Sequence, residues 1–106
     1  MNTDNLNFRG KFKQYDADGN VYIYNIGDVV EYKGQKYAAV RPTSGTTVPG
    51  NRTNENTWKA IAAGSGFYIQ DDPPVTQIAG DRWYRPTTSI MYTLINQDNN
   101  FIWVEL

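Results

Sequence analysis

The sequence predicts an all-β protein made of two small antiparallel modules, and three observations point there. Along Phe8–Gln14, Phe8, Gly10 and Phe12 alternate with Arg9, Lys11 and Lys13, the period-two signature of a half-buried strand. β-Branched and aromatic residues gather in short runs bounded by Gly, Pro, Asn and Asp, the composition of strands and tight turns. No stretch carries helical periodicity.

Taken in order, residues 1–7 are polar and aperiodic and are expected to form a flexible arm. The first module spans residues 8–62. After the strand at Phe8–Gln14 comes a turn, Asp16–Asn20, and a strand, Val21–Tyr24. A bend at Gly27-Asp28 then feeds a hairpin of Val29–Tyr32 and Gln35–Val40 around the pair Lys33-Gly34. A lone two-stranded ribbon is marginal in water, so its apolar face needs a cover, and Trp58 in TWKAI is the expected lid. Between them, Arg41–Thr57 reads as a long surface loop of Pro, Gly, Ser, Thr and Asn. Residues 63–80 read as a Gly/Pro-rich linker with a short strand at Phe67–Gln70, stiffened by Pro73-Pro74. Residues 81–106 form a C-terminal β-hairpin module with strands at Arg82–Arg85, Ile90–Ile95 and Phe101–Glu105.

An imperfect repeat joins the modules. Gly27-Asp28 is followed by Tyr32, Tyr37 and Trp58, and Gly80-Asp81 by Trp83, Tyr92 and Trp103. The shared order predicts two similar twisted meanders, each closed by a tryptophan. Gly27, Asp28, Tyr32, Tyr37, Trp58, Gly80, Asp81, Trp83 and Trp103 are therefore assigned structural roles.

Composition narrows the function. The 106 residues include no cysteine and no histidine, which removes disulfides, thiolate zinc sites and the usual general base. A net charge of −1 with both signs interspersed offers no basic face to nucleic acid. No apolar run reaches membrane-span length, and the N-terminus lacks the pattern of a signal peptide, so synthesis in a cytoplasm is expected.

Acidic residues invite three chemical readings, each weaker than a structural one. Asp16, Asp18 and Asn20 alternate as calcium ligands do, but a calcium-binding helix-loop-helix places glycine sixth and glutamate twelfth, where this run has Asn20's predecessor Gly19 fourth and Gly27 twelfth. No metal or other cofactor is expected. Asp28 and Asp81 could serve as paired acids for glycoside hydrolysis, yet an aspartate after glycine also stabilises a bend through backbone N–H groups two residues on. Asp71-Asp72 reads as a solvated spacer. No catalytic residues are assigned, and the chain is not read as an enzyme.

Three Trp, eight Tyr and four Phe exceed what one small core can bury, so some must lie at the surface. Tyr22 and Tyr24 share one face of their strand, opposite Val21 and Ile23, and one pair must face away from the core. Tyr15, Tyr22 and Tyr24 are the candidate binding residues.

Two resemblances follow from these residues. The pattern Tyr24-x-x-Gly27-Asp28-Val29-Val30-x-Tyr32-x-Gly34-x-x-Tyr37-x-Ala39, then Pro49 and Trp58, resembles the small chitin- and cellulose-binding type-3 carbohydrate-binding modules. That family implies a compact β module, with an exposed aromatic pair after the tyrosine-alanine segment that stacks on polysaccharide. Here that place reads Arg41-Pro42-Thr43, without an aromatic. The same module outside an enzyme, followed by Pro73-Pro74, Gly80-Asp81-x-Trp83-Tyr84, Ile90-Met91-Tyr92 and Phe101–Glu105, resembles segments of structural proteins in tailed-bacteriophage virions. The resemblance implies a non-enzymatic accessory of the virion, as a head decoration or a fibre or tail attachment component. Its partners would be other virion proteins of capsid or tail, or copies of itself. The alternative is an adhesin recognising a host surface glycan.

Overall fold

The computed structural model describes residues 6–61 and 66–106, and the protein is all-β. The arm expected over residues 1–7 lies outside the described residues as far as residue 5, as do residues 63–65 of the expected linker; Asn7 already belongs to a strand. The described chain divides into two compact units, Leu6–Ala60 and Ile61–Leu106.

In the first unit the strands are β1 (Asn7–Lys11), β2 (Ile23–Tyr24), β3 (Asp28–Tyr32), β4 (Gln35–Ala39), β5 (Thr43–Ser44) and β6 (Trp58–Ala60). Four of them form a sheet in the order β1-β3-β4-β6, while β2 and β5 pair separately. The β3–β4 hairpin closes on Lys33-Gly34, both at positive φ (52° and 81°), the backbone of a two-residue turn whose twist matches the strands.

The expected lid is placed differently. Trp58 extends the sheet as part of β6, opposite Ala39, on the face that also carries Val30. The cover comes from the crossover between β1 and β3, which run parallel and so need a long connection. That crossover lays Phe12 and Tyr24 over the sheet, with ring centroids 5.7 Å apart, and Tyr24 meets Trp58 edge-on at 5.3 Å. Tyr24, Val30, Ala39 and Trp58 form the buried core of this unit. Rings of this size each stabilise the fold by about 2–3 kcal/mol when fully buried.

The segment Arg41–Thr57 is more ordered than a surface loop. It contains β5, a 3-10 turn at Arg52–Asn54 capped by Asn51, and a carbonyl at Thr47 that accepts the Trp58 indole N–H at 2.6 Å. Gly45 sits where a Cβ would come within 2.2 Å of the Gln14 carbonyl oxygen, so only glycine permits this close passage of two backbones.

The second unit holds β7 (Phe67–Ile69), β8 (Arg82–Arg85), β9 (Ile90–Gln97) and β10 (Asn100–Glu105) in a sheet ordered β10-β9-β8-β7. The short strand expected within residues 63–80 is β7, which joins this sheet. β7 pairs in parallel with β8, and the connection between them is the crossover such a pair requires. Pro74 is buried within that connection, and the Gln70 carbonyl accepts the Trp83 indole N–H at 2.6 Å. Asp71 is likewise more than a solvated spacer, because it accepts from both the backbone N–H and the hydroxyl of Thr87 in the β8–β9 turn.

The two sheets share one plan: a first strand parallel to the strand after Gly-Asp, then antiparallel neighbours. Within it Tyr37 corresponds to Tyr92, each opposite the third residue of the Gly-Asp strand (Val30 and Trp83). Trp58 corresponds to Trp103, opposite Ala39 and Leu94 respectively.

Candidate functional site

The two aspartates considered for hydrolysis are buried and committed to backbone geometry. Gly27 and Gly80 take φ of 90° and 96°, so each chain segment turns at the glycine, and the following aspartate N–H bonds back to Asn25 or Ile78. Asp28 accepts from the Asn25 N–H at 2.8 Å, from Arg9 Nη1 at 2.9 Å and from Asn7 Nδ2 at 3.3 Å. Asp81 accepts from the Gly66 N–H at 2.7 Å and the Thr76 hydroxyl at 2.6 Å. Both carboxylates thus bond backward and across to the neighbouring strand, not to N–H groups two residues on. Each pins the parallel strand to the turn. Oxygens held this way have few lone pairs left for proton transfer to a substrate.

Asp16 also closes its own turn, with Oδ1 accepting from the Asp18 and Asn20 N–H groups at 2.9 Å each. Among the described residues no three acidic, histidine or cysteine side chains gather to hold a metal ion.

The three candidate tyrosines separate. Tyr15 is 57% exposed, Tyr22 is half-buried and Tyr24 is 1% exposed. Tyr24 is therefore core and offers no surface ring. Its hydroxyl bridges the Lys13 backbone, accepting from the N–H at 2.9 Å, and burial pushes that hydroxyl up from the ordinary tyrosine value. Tyr22 lies beside it at 4.8 Å and accepts from Arg9 Nη2, whose guanidinium sits 5.4 Å from the ring centroid. The bond to Tyr22, with the Asp28 charge behind it, outweighs partial burial and pushes the Arg9 guanidinium up.

With the tyrosines turned inward, the alternating aliphatics turn out. Val21 is 38% and Ile23 62% exposed, and Val21 forms a bridge with Tyr15, so these three present one apolar strip to solvent. Sequence reasoning left the choice of face open. The crossover's need to cover Trp58 with rings decides it.

A second strip lies on β9 and β10. Ile95 (38%), Ile102 (42%) and Val104 (39%) share one face, Ile95 directly opposite Ile102. Alternation along Phe101–Glu105 carries this signal, since Ile102 and Val104 flank the inward-turned Trp103. Trp103 itself is half-buried and meets Trp83 at 5.5 Å, while Trp83 stacks on Tyr92 at 4.5 Å. The other residues assigned to packing, Tyr32 and Tyr37, are half-buried on the face of Val30.

These strips can bind by burial of apolar area and by strand pairing. No family model, no curated protein and no solved structure matches the chain.

Proposed function

We propose that the protein is a non-enzymatic structural accessory of a phage virion, acting by docking flat β-surfaces onto larger virion proteins. The observation that carries this reading is the outward alternation of aliphatic residues: Val21, bridged to Tyr15, with Ile23 on β2, and Ile95, Ile102 and Val104 on the β9–β10 hairpin. Aliphatic strips on sheet faces suit protein partners, where burial drives association without a concave site. Repeated display on a symmetric particle makes weak individual contacts sufficient. The glycan alternative requires aromatic plates, and of the three candidate rings Tyr15 alone is exposed.

The test is incorporation. Particles assembled from the encoding genome contain the protein at fixed stoichiometry by quantitative mass spectrometry, and Ile23→Glu lowers its occupancy several-fold while the isolated variant keeps its circular-dichroism spectrum. Absence from purified particles overturns the virion assignment. Tight retention of the isolated chain on a polysaccharide, lost in Tyr15→Ser, favours the adhesin.

A further inference from the structure

The sheet edges are unequal. β1 carries Arg9 and Lys11 and its register with β3 shifts between Phe8 and Lys11, β6 carries Lys59 and spans three residues, and β7 also spans three. Charges, bulges and shortness are the devices that keep an edge from pairing. Among the described residues β10 is neither short nor bulged: it runs six residues, in unbroken register with the eight-residue β9, and carries a single formal charge, Glu105, at its end.

The phase of its backbone is fixed by the Leu106 N–H, which donates to the Met91 carbonyl at 2.9 Å. Alternate residues of an antiparallel strand turn their backbone groups to opposite sides. Ile102 and Val104 therefore bond to β9, and Phe101, Trp103 and Glu105 direct their N–H and C=O groups outward.

We propose that β10 is a self-docking edge that pairs antiparallel with β10 of a second copy, about a two-fold axis at Trp103. This rests on the docking reading above and names the partner for the second unit. The sequence of β10 is self-complementary in that register. Phe101 faces Glu105 of the second copy and Trp103 faces Trp103, so every outward backbone group of these residues is matched and the two Glu105 charges never oppose. On the other face Ile102 lies opposite Val104 of the second copy, which joins the β9–β10 strips of the two copies into one surface. Shifting the axis by one residue either way leaves an outward residue of each copy unmatched. The same pairing converts two four-stranded sheets into a continuous sheet with no β10 edge left open.

Sedimentation of the full chain over a range of concentrations is expected to show a monomer–dimer equilibrium. Glu105→Pro removes one outward N–H per copy without touching the bonds to β9, and weakens the dimer by about thirtyfold. Register is read by cysteine pairing, which is clean because the chain has none. An equimolar mixture of Ile102→Cys and Val104→Cys chains forms a mixed disulfide under mild oxidation, since these positions face each other as a close non-hydrogen-bonded pair, about 4.5 Å between Cα atoms. Each variant alone crosslinks far less. A chain monomeric at all concentrations overturns the proposal while leaving incorporation into particles intact. A dimer that Glu105→Pro leaves unchanged, or that crosslinks equally in all mixtures, overturns the β10 register. Dimerisation without incorporation overturns the virion reading alone.

Discussion

Arg9 holds the carboxylate of Asp28 at 2.9 Å while that carboxylate is 4% exposed, so one cation on β1 neutralises a buried charge at the start of β3. The pair ties the first strand to the Gly-Asp turn, and the guanidinium also roofs Tyr22. In the second unit the same position, Asp81, is met by the neutral donors Gly66 N–H and Thr76 hydroxyl. One packing problem therefore has an ionic and a neutral solution. Removing one partner of a buried pair costs several kcal/mol, but Arg9 is 29% exposed and water screens part of that. Arg9→Met is expected to lower stability by about 2 kcal/mol in urea unfolding of the full chain. Adding Asp28→Asn recovers part of the loss, because the uncompensated charge goes with it. A loss no larger than a typical exposed substitution would remove the pair from the account.

Much of this architecture is legible in residue order, for local reasons. Lys33-Gly34 between Tyr32 and Gln35 fixes the first hairpin, and the correspondence of Trp58 with Trp103 emerges from the order of aromatics after Gly-Asp, because each is carried on the last strand of its sheet. The hidden part is non-local. That β1 and β7 pair in parallel depends on chain returning from a distance, which no short window encodes. The strip Val21-Ile23 was half-visible: alternation shows that two faces differ but not which is wet. The Tyr24 hydroxyl settles it by finding the Lys13 backbone on the inner side.

The β8–β9 turn stores strain at one residue. Ser89 adopts φ of 57°, its N–H donating to the Arg85 carbonyl at 2.8 Å, and its side chain is exposed. An L-residue other than Asn or Asp is disfavoured there by a Cβ contact with its own backbone. Ser89→Gly is expected to raise stability by about 0.5–1 kcal/mol. Asn99, at φ of 68° in the β9–β10 turn, already has the side chain that tolerates this region, so Asn99→Gly gains less. Paired thermal melts read the difference, and a drop in melting temperature for Ser89→Gly contradicts the strain argument.

Alkaline pH tests the buried Tyr24 hydroxyl. Burial raises its folded pKa above the unfolded value of about 10, so the folded state keeps a proton that the unfolded chain loses. The stabilisation is whole below about pH 10 and declines as pH rises through the folded pKa. Tyr24→Phe removes this group from the alkaline limb. It also strips the Lys13 N–H and carbonyl of their partner, which costs about 1–2 kcal/mol at neutral pH. All other side chains are common to both proteins, so the informative quantity is the difference between their urea midpoints from pH 7 to 11. That gap is expected to narrow above pH 10, because the wild type alone loses the Tyr24 contribution there. A gap constant across the range would mean that the Tyr24 hydroxyl ionises as freely in the folded protein as in the unfolded chain.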